Sequence, residues 1–315
     1  MFGPTSALIG IVVLLLTAAT AIGRVLQRQR EWGLNPAALE AFNSRLRAWW
    51  LICFMLAWAF VFPHWTTVVL FGGLSFWALR EFITLTPTRL GDHVALLWVF
   101  FFFTPFQYVL VALDNYGLYS VMIPVYAFLF IPAKAAFAGD PRRFLERVAK
   151  IQCGLLICVY CLSHAPALLY LDLGEYDTGL LLFFFVVMVL LSDAMQFVWG
   201  KLYGKHPIAP EINESRTWEG LLGSAASTSL VGAALWWATP FGAAWVSGLM
   251  SLLIAVMGFA GGMTMSAIKR DRGVKDYGTL VEGHGGVLDR IDSICFAAPV
   301  FYHVTRYFFV FNGEG

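Results

Sequence analysis

Charged residues are scarce in this chain. Asp, Glu, Lys and Arg make up 13% of its 315 residues, against roughly 25% in soluble domains. With a mean hydropathy of +0.71, that scarcity excludes an ordinary soluble fold. Long polar stretches are missing too. No connection between apolar runs exceeds 27 residues, which leaves no room for a soluble domain. Cysteine is sparse: Cys53, Cys153, Cys158, Cys161 and Cys295 all lie in or beside apolar runs. "CVYC" at 158–161 has CxxC spacing, but no second Cys/His pair accompanies it and it falls in mid-helix. These thiols therefore read as small buried hydrophobes, in preference to a zinc or redox centre. No basic residue precedes the first apolar run, whereas Arg24, Arg28 and Arg30 follow it. That order argues against a cleavable signal peptide and for a retained helix. The net charge of +1 does not define a partner, and no nucleic-acid partner is expected.

What the chain does have is apolar and aromatic. Twenty-eight Phe, 12 Trp and 11 Tyr suit a lipid-facing surface with anchors at the membrane interfaces. Runs long enough to cross about 30 Å of hydrocarbon recur, at 5–24, 48–63, 66–82, 93–113, 117–137, 151–171, 178–199, 220–239, 242–265 and 293–312. The expected fold is all-α: a polytopic integral membrane protein of about 10 transmembrane helices, or nine where short runs merge. Of the 21 Lys and Arg, 19 fall in alternate connections, at 24–47, 80–92, 138–150, 200–219 and 266–292. The intervening connections contain none, and "DLGEYD" (172–177) is purely acidic. The positive-inside rule then puts the basic loops in the cytoplasm and both termini outside. Lys134 and Arg306 are the two exceptions. The compact loops suggest a bacterial inner membrane. We divide the chain into N-terminal helices, 1–177, and a C-terminal region, 178–315, that carries two polar loops at 200–220 and 266–292.

The second of these loops, "KRDRGVKDYGTLVEGHGGVLDRID" (269–292), stands out between apolar runs. Anchoring a helix on the cytoplasmic side uses its basic residues but has no use for Asp276, Asp289, Asp292 or "GHGG". Lys269, Arg270, Lys275 and Arg290 can neutralise phosphate oxygens, the arginines in bidentate fashion. Gly283, Gly285 and Gly286 let the backbone turn tightly and bring its N–H groups close to an anion. "LDRID" opens the last predicted helix and puts Asp289 and Asp292 at i and i+3, on one face. Carboxylates so placed beside a basic cluster suit a magnesium ion bridging nucleotide phosphates. Complementarity with the helix N-terminus, worth about 0.3–1 kcal/mol, is the simpler explanation for a single Asp.

The first loop, "GKLYGKHPIAPEINESRTWEG" (200–220), supplies Lys201, Lys205, His206 and Arg216. Just before it, Asp193 lies about two turns inside an otherwise apolar helix. A carboxylate at that depth costs several kcal/mol unless it is paired or faces water. Asp193 is therefore a candidate site residue, with a salt bridge to a loop cation as the structural alternative. Together the loops suggest an enzyme that joins a soluble nucleotide to a phosphate embedded in the membrane.

Ser266 to Ser293, "SAIKRDRGVKDYGTLVEGHGGVLDRIDS", closely resembles the signature of the phosphatidate cytidylyltransferases (CDP-diacylglycerol synthases), without a gap. Asp193, Gly200, Gly204, Lys205, Pro210, Thr217, Trp218 and Gly220 fit the companion segment of that family, and "ALREF" (78–82) is a weak further echo. The resemblance implies a reaction in which phosphatidic acid attacks the α phosphorus of CTP and pyrophosphate leaves. It implies Asp289 and Asp292 at a magnesium centre that allows a second cation, with Asp193, Lys269, Asp276 and Asp289 as the catalytic set. Lys205, Arg216, Ser266, Arg270, Lys275, His284, Gly285, Gly286 and Arg290 would bind substrate, His284 through a phosphate or a structural hydrogen bond. CTP, phosphatidic acid and membrane lipids are the implied partners, with a homodimer allowed.

The chain departs from the family pattern at two places. Gly262 and Met265 stand where the pattern has Asp and Glu, and in "NESRTW" Asn213, Glu214 and Arg216 stand where it has Ser, Pro and Lys. A different lipid phosphate as acceptor, a CTP-dependent lipid kinase, and a catalytically degenerate paralogue are accordingly the alternative readings.

Overall fold

The computed structural model describes residues 62–85, 88–278 and 285–312, together with isolated positions before residue 62; side chains are described up to residue 308. The two apolar runs predicted before residue 64 lie almost wholly outside the described residues. Met1–Pro63 and His64–Gly315 form separate compact units. The described positions of the first before Phe62, such as Leu14 and Val25, are helical.

Among the described residues the second unit has eight long helices, and each predicted run from residue 66 onward falls on one of them. They are α1 His64–Thr84, α2 Leu90–Ala112, α3 Tyr116–Ala136, α4 Phe144–Tyr170, α5 Thr178–Tyr203, α6 Trp218–Ala234, α7 Ala244–Asp271 and α8 Leu288–Asn312. No strand occurs among the described residues, only an isolated bridge between Pro207 and Thr217. Six of the helices (α1 to α5 and α7) are long and apolar enough to cross a membrane. The protein is a polytopic, all-α integral membrane protein. α6 has 17 residues and a Gly/Ala/Ser/Thr-rich sequence. α8 has 25 residues but carries acids in its first turns.

Local signals start the helices where the sequence puts them. Asn115, Asp177 and Thr217 cap α3, α5 and α6, their side-chain oxygens accepting from the N–H groups of Leu118, Gly179 and Gly220 at 3.2, 2.9 and 3.1 Å. Each bond satisfies one of the N–H groups that a helix start leaves without a backbone partner. α2, α3 and α4 each contain a π-helical turn, at Val99–Phe103, Met122–Ala127 and Leu156–Cys161.

Helix contacts in the C-terminal half depend on small residues. In lipid no hydrophobic drive pulls helices together, so close backbone approach and side-chain hydrogen bonds must do so. Gly223 lies against the Trp199 ring, Gly232 against Ser251, and Gly261 against Phe296. Ser229 Oγ donates to Gly248 O at 2.9 Å, and Trp199 Nε1 donates to Ser227 Oγ at 2.9 Å. Four helices, α5 to α8, are knitted together in this way.

The basic connections at 80–92, 138–150, 200–219 and 266–292 gather at one end of this bundle. Arg147 at the start of α4 donates from Nε to Asp92 Oδ1 at 3.0 Å and from Nη1 to Asp140 Oδ2 at 3.1 Å. Arg89 reaches the same Asp140 oxygen at 3.1 Å. The backbone N–H of Arg142, together with Arg89, holds the Asp140 carboxyl below the usual carboxylate range. Arg306, one of the two basic exceptions, sits on α8 near the opposite end, 3.8 Å above the ring of Tyr116.

Asp92 and Arg147 retain 1% and 5% of their exposure. Removing one partner of a buried pair leaves an uncompensated charge and costs about 3–5 kcal/mol. Arg147→Met should therefore lower the thermal midpoint of the detergent-solubilised protein markedly. Arg147→Met combined with Asp92→Leu should recover most of that loss.

Candidate active site

The ends of α1, α5 and α7 meet the starts of α6 and α8 at the basic end of the bundle. The start of α8 is held by a residue far away in sequence. Glu81, on α1 and only 5% exposed, accepts from the backbone N–H groups of Val287 and Leu288 at 3.0 and 2.9 Å. A charge-assisted cap of this kind is stronger than a neutral one and suits the positive end of the helix dipole. Its cradle must be bare: a Cβ at Gly278 would come within 2.8 Å of Glu81 Oε1, and one at Gly286 would overlap the same carboxylate. Glycine at these positions therefore serves packing on Glu81.

Asp289 closes the loop on itself. Its Oδ2 accepts from the N–H groups of Tyr277 and Gly286, both at 2.9 Å, and its Oδ1 accepts from Lys269 Nζ at 2.8 Å. Lys269 also lies 5.5 Å from the centre of the Tyr277 ring. Tyr277 is buried, with its hydroxyl donating to Met265 O at 3.0 Å. Asp276 approaches from the exposed side: a Cβ at Gly285 would lie 2.9 Å from Asp289 Oδ2 and 3.5 Å from Asp276 Oδ1.

The 200–220 loop is fastened to α7 beside this turn. Arg270 Nε donates to Ile212 O at 3.2 Å, and Asn213 Nδ2 donates to Ser266 Oγ at 3.3 Å. Ser266 Oγ in turn donates to Gly262 O at 2.7 Å. Gly204 and Gly220 close the loop around Thr217, whose Oγ1 would lie 2.9 and 3.1 Å from Cβ atoms at those positions. Glu219 accepts from the backbone N–H groups of Lys205 and His206 at 3.2 and 3.3 Å. The His206 ring, 2.5 Å from Glu219 Oε1, is the main reason the Glu219 carboxyl is held down at about 2.

Between the two loops, two further carboxylates share one serine. Ser293 Oγ donates to Asp193 Oδ1 at 3.0 Å, and its backbone N–H donates to Asp292 Oδ1 at 2.8 Å. Asp193 on α5 and Asp292 on α8, 99 positions apart in sequence, therefore face one another.

Most of the predicted site residues gather here. Asp193, Arg216, Ser266, Lys269, Arg270, Gly285, Gly286, Asp289 and Asp292 line or support one region, with Asp276 at its edge. Lys205 and Lys275 are exposed beside it, and Arg290 is partly buried in the first turns of α8. His284 lies outside the described residues. Among the described residues no group of three His, Cys, Asp or Glu side chains converges in a way that would hold a metal ion. Sequence reasoning missed the roles of Glu81, Ser293 and Asn213. The "ALREF" echo was the one signal for Glu81, and the departure from the family pattern the one for Asn213; Ser293 carries none, because an ordinary hydroxyl gains meaning only from its neighbours.

An apolar helical bundle with one basic, acid-lined, glycine-rich end is the arrangement of an integral membrane enzyme that handles phosphates. Residues 43–308 match the cytidylyltransferase family, and the chain belongs to that family, making it a nucleotidyltransferase. It is 36% identical over 298 residues, 93% of this chain and 95% of the relative, to the uncharacterized protein YnbB of Escherichia coli K12. It is 37% identical over 172 residues to a phosphatidate cytidylyltransferase of Mycobacterium leprae, covering 53% of each chain. A phosphatidate cytidylyltransferase of Haemophilus influenzae is 37% identical over 141 residues, 43% of this chain and 48% of that one. The match thus spans about half the length of those two enzymes.

Glu81→Ala would leave the buried N–H of Leu288 and the part-buried N–H of Val287 unpaired, a loss of about 1–3 kcal/mol for the buried group. Amide exchange at Val287 and Leu288 should accelerate at least tenfold in this variant, while exchange within α5 stays unchanged.

Proposed function

We propose that the protein transfers the cytidylyl group of CTP to a lipid phosphate, with phosphatidic acid as the acceptor, on the cytoplasmic face of a bacterial inner membrane. The observation that carries this reading is the meeting of two basic, glycine-bearing loops around four carboxylates at one end of an apolar bundle. A phosphate oxygen of the lipid attacks the α phosphorus of CTP, and the bond from that phosphorus to the oxygen bridging the α and β phosphates breaks. Pyrophosphate leaves, and CDP-diacylglycerol stays in the membrane. The lipid phosphate is itself the nucleophile, so no side chain need form a covalent intermediate.

The protein's task in this reaction is to bring two polyanions into line and neutralise them. Lys269, held by Asp289, and Arg270 and Arg216, fixed beside α7, supply positive charge toward the phosphates; exposed Lys205 and Lys275 draw the nucleotide in. Asp193 and Asp292, two carboxylates facing each other from different helices, have the donor chemistry to hold a magnesium ion. Asp289 could join them through Oδ1, which accepts from the Lys269 ammonium and keeps a second lone pair. Magnesium, when bound, withdraws charge from phosphate oxygens and favours pyrophosphate as the leaving group.

The test is product formation by purified protein in nanodiscs with magnesium, CTP and phosphatidic acid. CDP-diacylglycerol should form, and Asp289→Asn should reduce the rate by about 100-fold or more. Asp193→Asn should lower turnover far more than it lowers the amount of folded protein. Product with another lipid phosphate alone would replace phosphatidic acid in this reading. No product with any lipid phosphate, from protein that still binds CTP, would refute it.

A further inference from the structure

The departures from the family pattern at positions 216 and 262 lie 46 residues apart in sequence yet form one spatial feature. A Cβ built on Gly262 would stand 2.7 Å from Nη2 of Arg216, 3.4 Å from its Cζ and 3.9 Å from Oδ2 of Asp292. The guanidinium and the carboxylate therefore face each other across the bare backbone of Gly262. Phe259, one turn earlier on α7, supports the guanidinium from below, with Arg216 Cζ 5.7 Å from its ring centre. Asn213 and Ser266 pin the same stretch of loop to α7. The charged groups that act on Asp292 are Asp193, Arg216 and Lys269.

Two carboxylates tied to one serine repel each other and need a cation close by. Arg216 supplies one that is permanently charged and built into the chain. Any side chain at position 262 would collide with it. An acidic one would add a third carboxylate and would need the guanidinium to move away.

We propose that Arg216 is the resident cation of the Asp193–Asp292 pair, admitted by the absence of a side chain at Gly262. From there it neutralises one nucleotide phosphate in place of a divalent ion. The pair consequently takes no more than one divalent cation, and takes it weakly. The phosphate contact rests on the reading under "Proposed function"; the cation balance of the carboxylate pair does not.

The test is manganese binding to the full-length purified protein without nucleotide, followed by electron paramagnetic resonance. The Asp193→Asn/Asp292→Asn variant serves to define the sites belonging to the pair. Wild-type protein should bind at most one ion at the pair. Arg216→Gln removes the charge, and Gly262→Ala displaces it while keeping it in the chain. Each should tighten manganese binding about tenfold or more, as expected for removing a like charge several ångströms away. Gly262→Asp combined with Arg216→Lys should bind one additional ion. Two ions bound at the pair in the wild type would overturn the proposal without recourse to any variant. So would unchanged affinity in both single variants when they elute as monodisperse protein. CTP binding measured alongside separates the two readings. A manganese response without CTP binding would sink the phosphate contact and leave Arg216 as the cation of the pair.

Discussion

The constraint on which the rest of this structure depends is the cost of charge inside an apolar bundle. A carboxylate near hydrocarbon must be paired or hydrogen-bonded, or it destabilises the fold by several kcal/mol. Here the internal acids meet that requirement in distinct ways. Glu81 caps a helix start, Asp289 takes an ammonium and two N–H groups, and Asp92 pairs with Arg147. Asp193 and Asp292 share a serine beside a guanidinium. The loops adopt their shapes because these pairings require them.

This arrangement also explains why the polar end can receive anions. Lys269, Arg270 and Arg216 are each fixed by a carboxylate, a carbonyl or an aromatic ring before any phosphate arrives. Groups oriented in advance lose less on binding and act more strongly where water is excluded. The glycines permit this economy of space. Gly286 gives way to Glu81, Gly204 and Gly220 to Thr217, and Gly262 to Arg216.

Much of the fold was legible from hydropathy alone, because apolar runs of spanning length have few other uses. Every predicted run from residue 66 onward falls on a helix. The gathering of the basic loops at one end was legible from the alternation of Lys and Arg. Which residues gather at this end was largely legible too, since Lys269, Asp289 and Asp292 stand in a polar stretch bounded by apolar runs. What could not be read was partnership. Glu81 is one acid in an apolar helix, 206 residues from the Val287 N–H it accepts, and no local pattern announces that distance. The departures at 216 and 262 were visible one by one, but their contact required three dimensions. Asp289 was read as a metal ligand from its spacing to Asp292, and its engagement with Tyr277, Gly286 and Lys269 appears only once the loop is folded.

The most direct test of the central claim follows the phosphorus atoms of CTP. Purified protein in nanodiscs containing phosphatidic acid is supplied with CTP labelled at either the α or the γ phosphorus, and the lipid fraction is counted. Cytidylyl transfer predicts label in the lipid from the α position alone, with γ label recovered as pyrophosphate. Lipid labelled from the γ position would show phosphoryl transfer instead and would contradict the account.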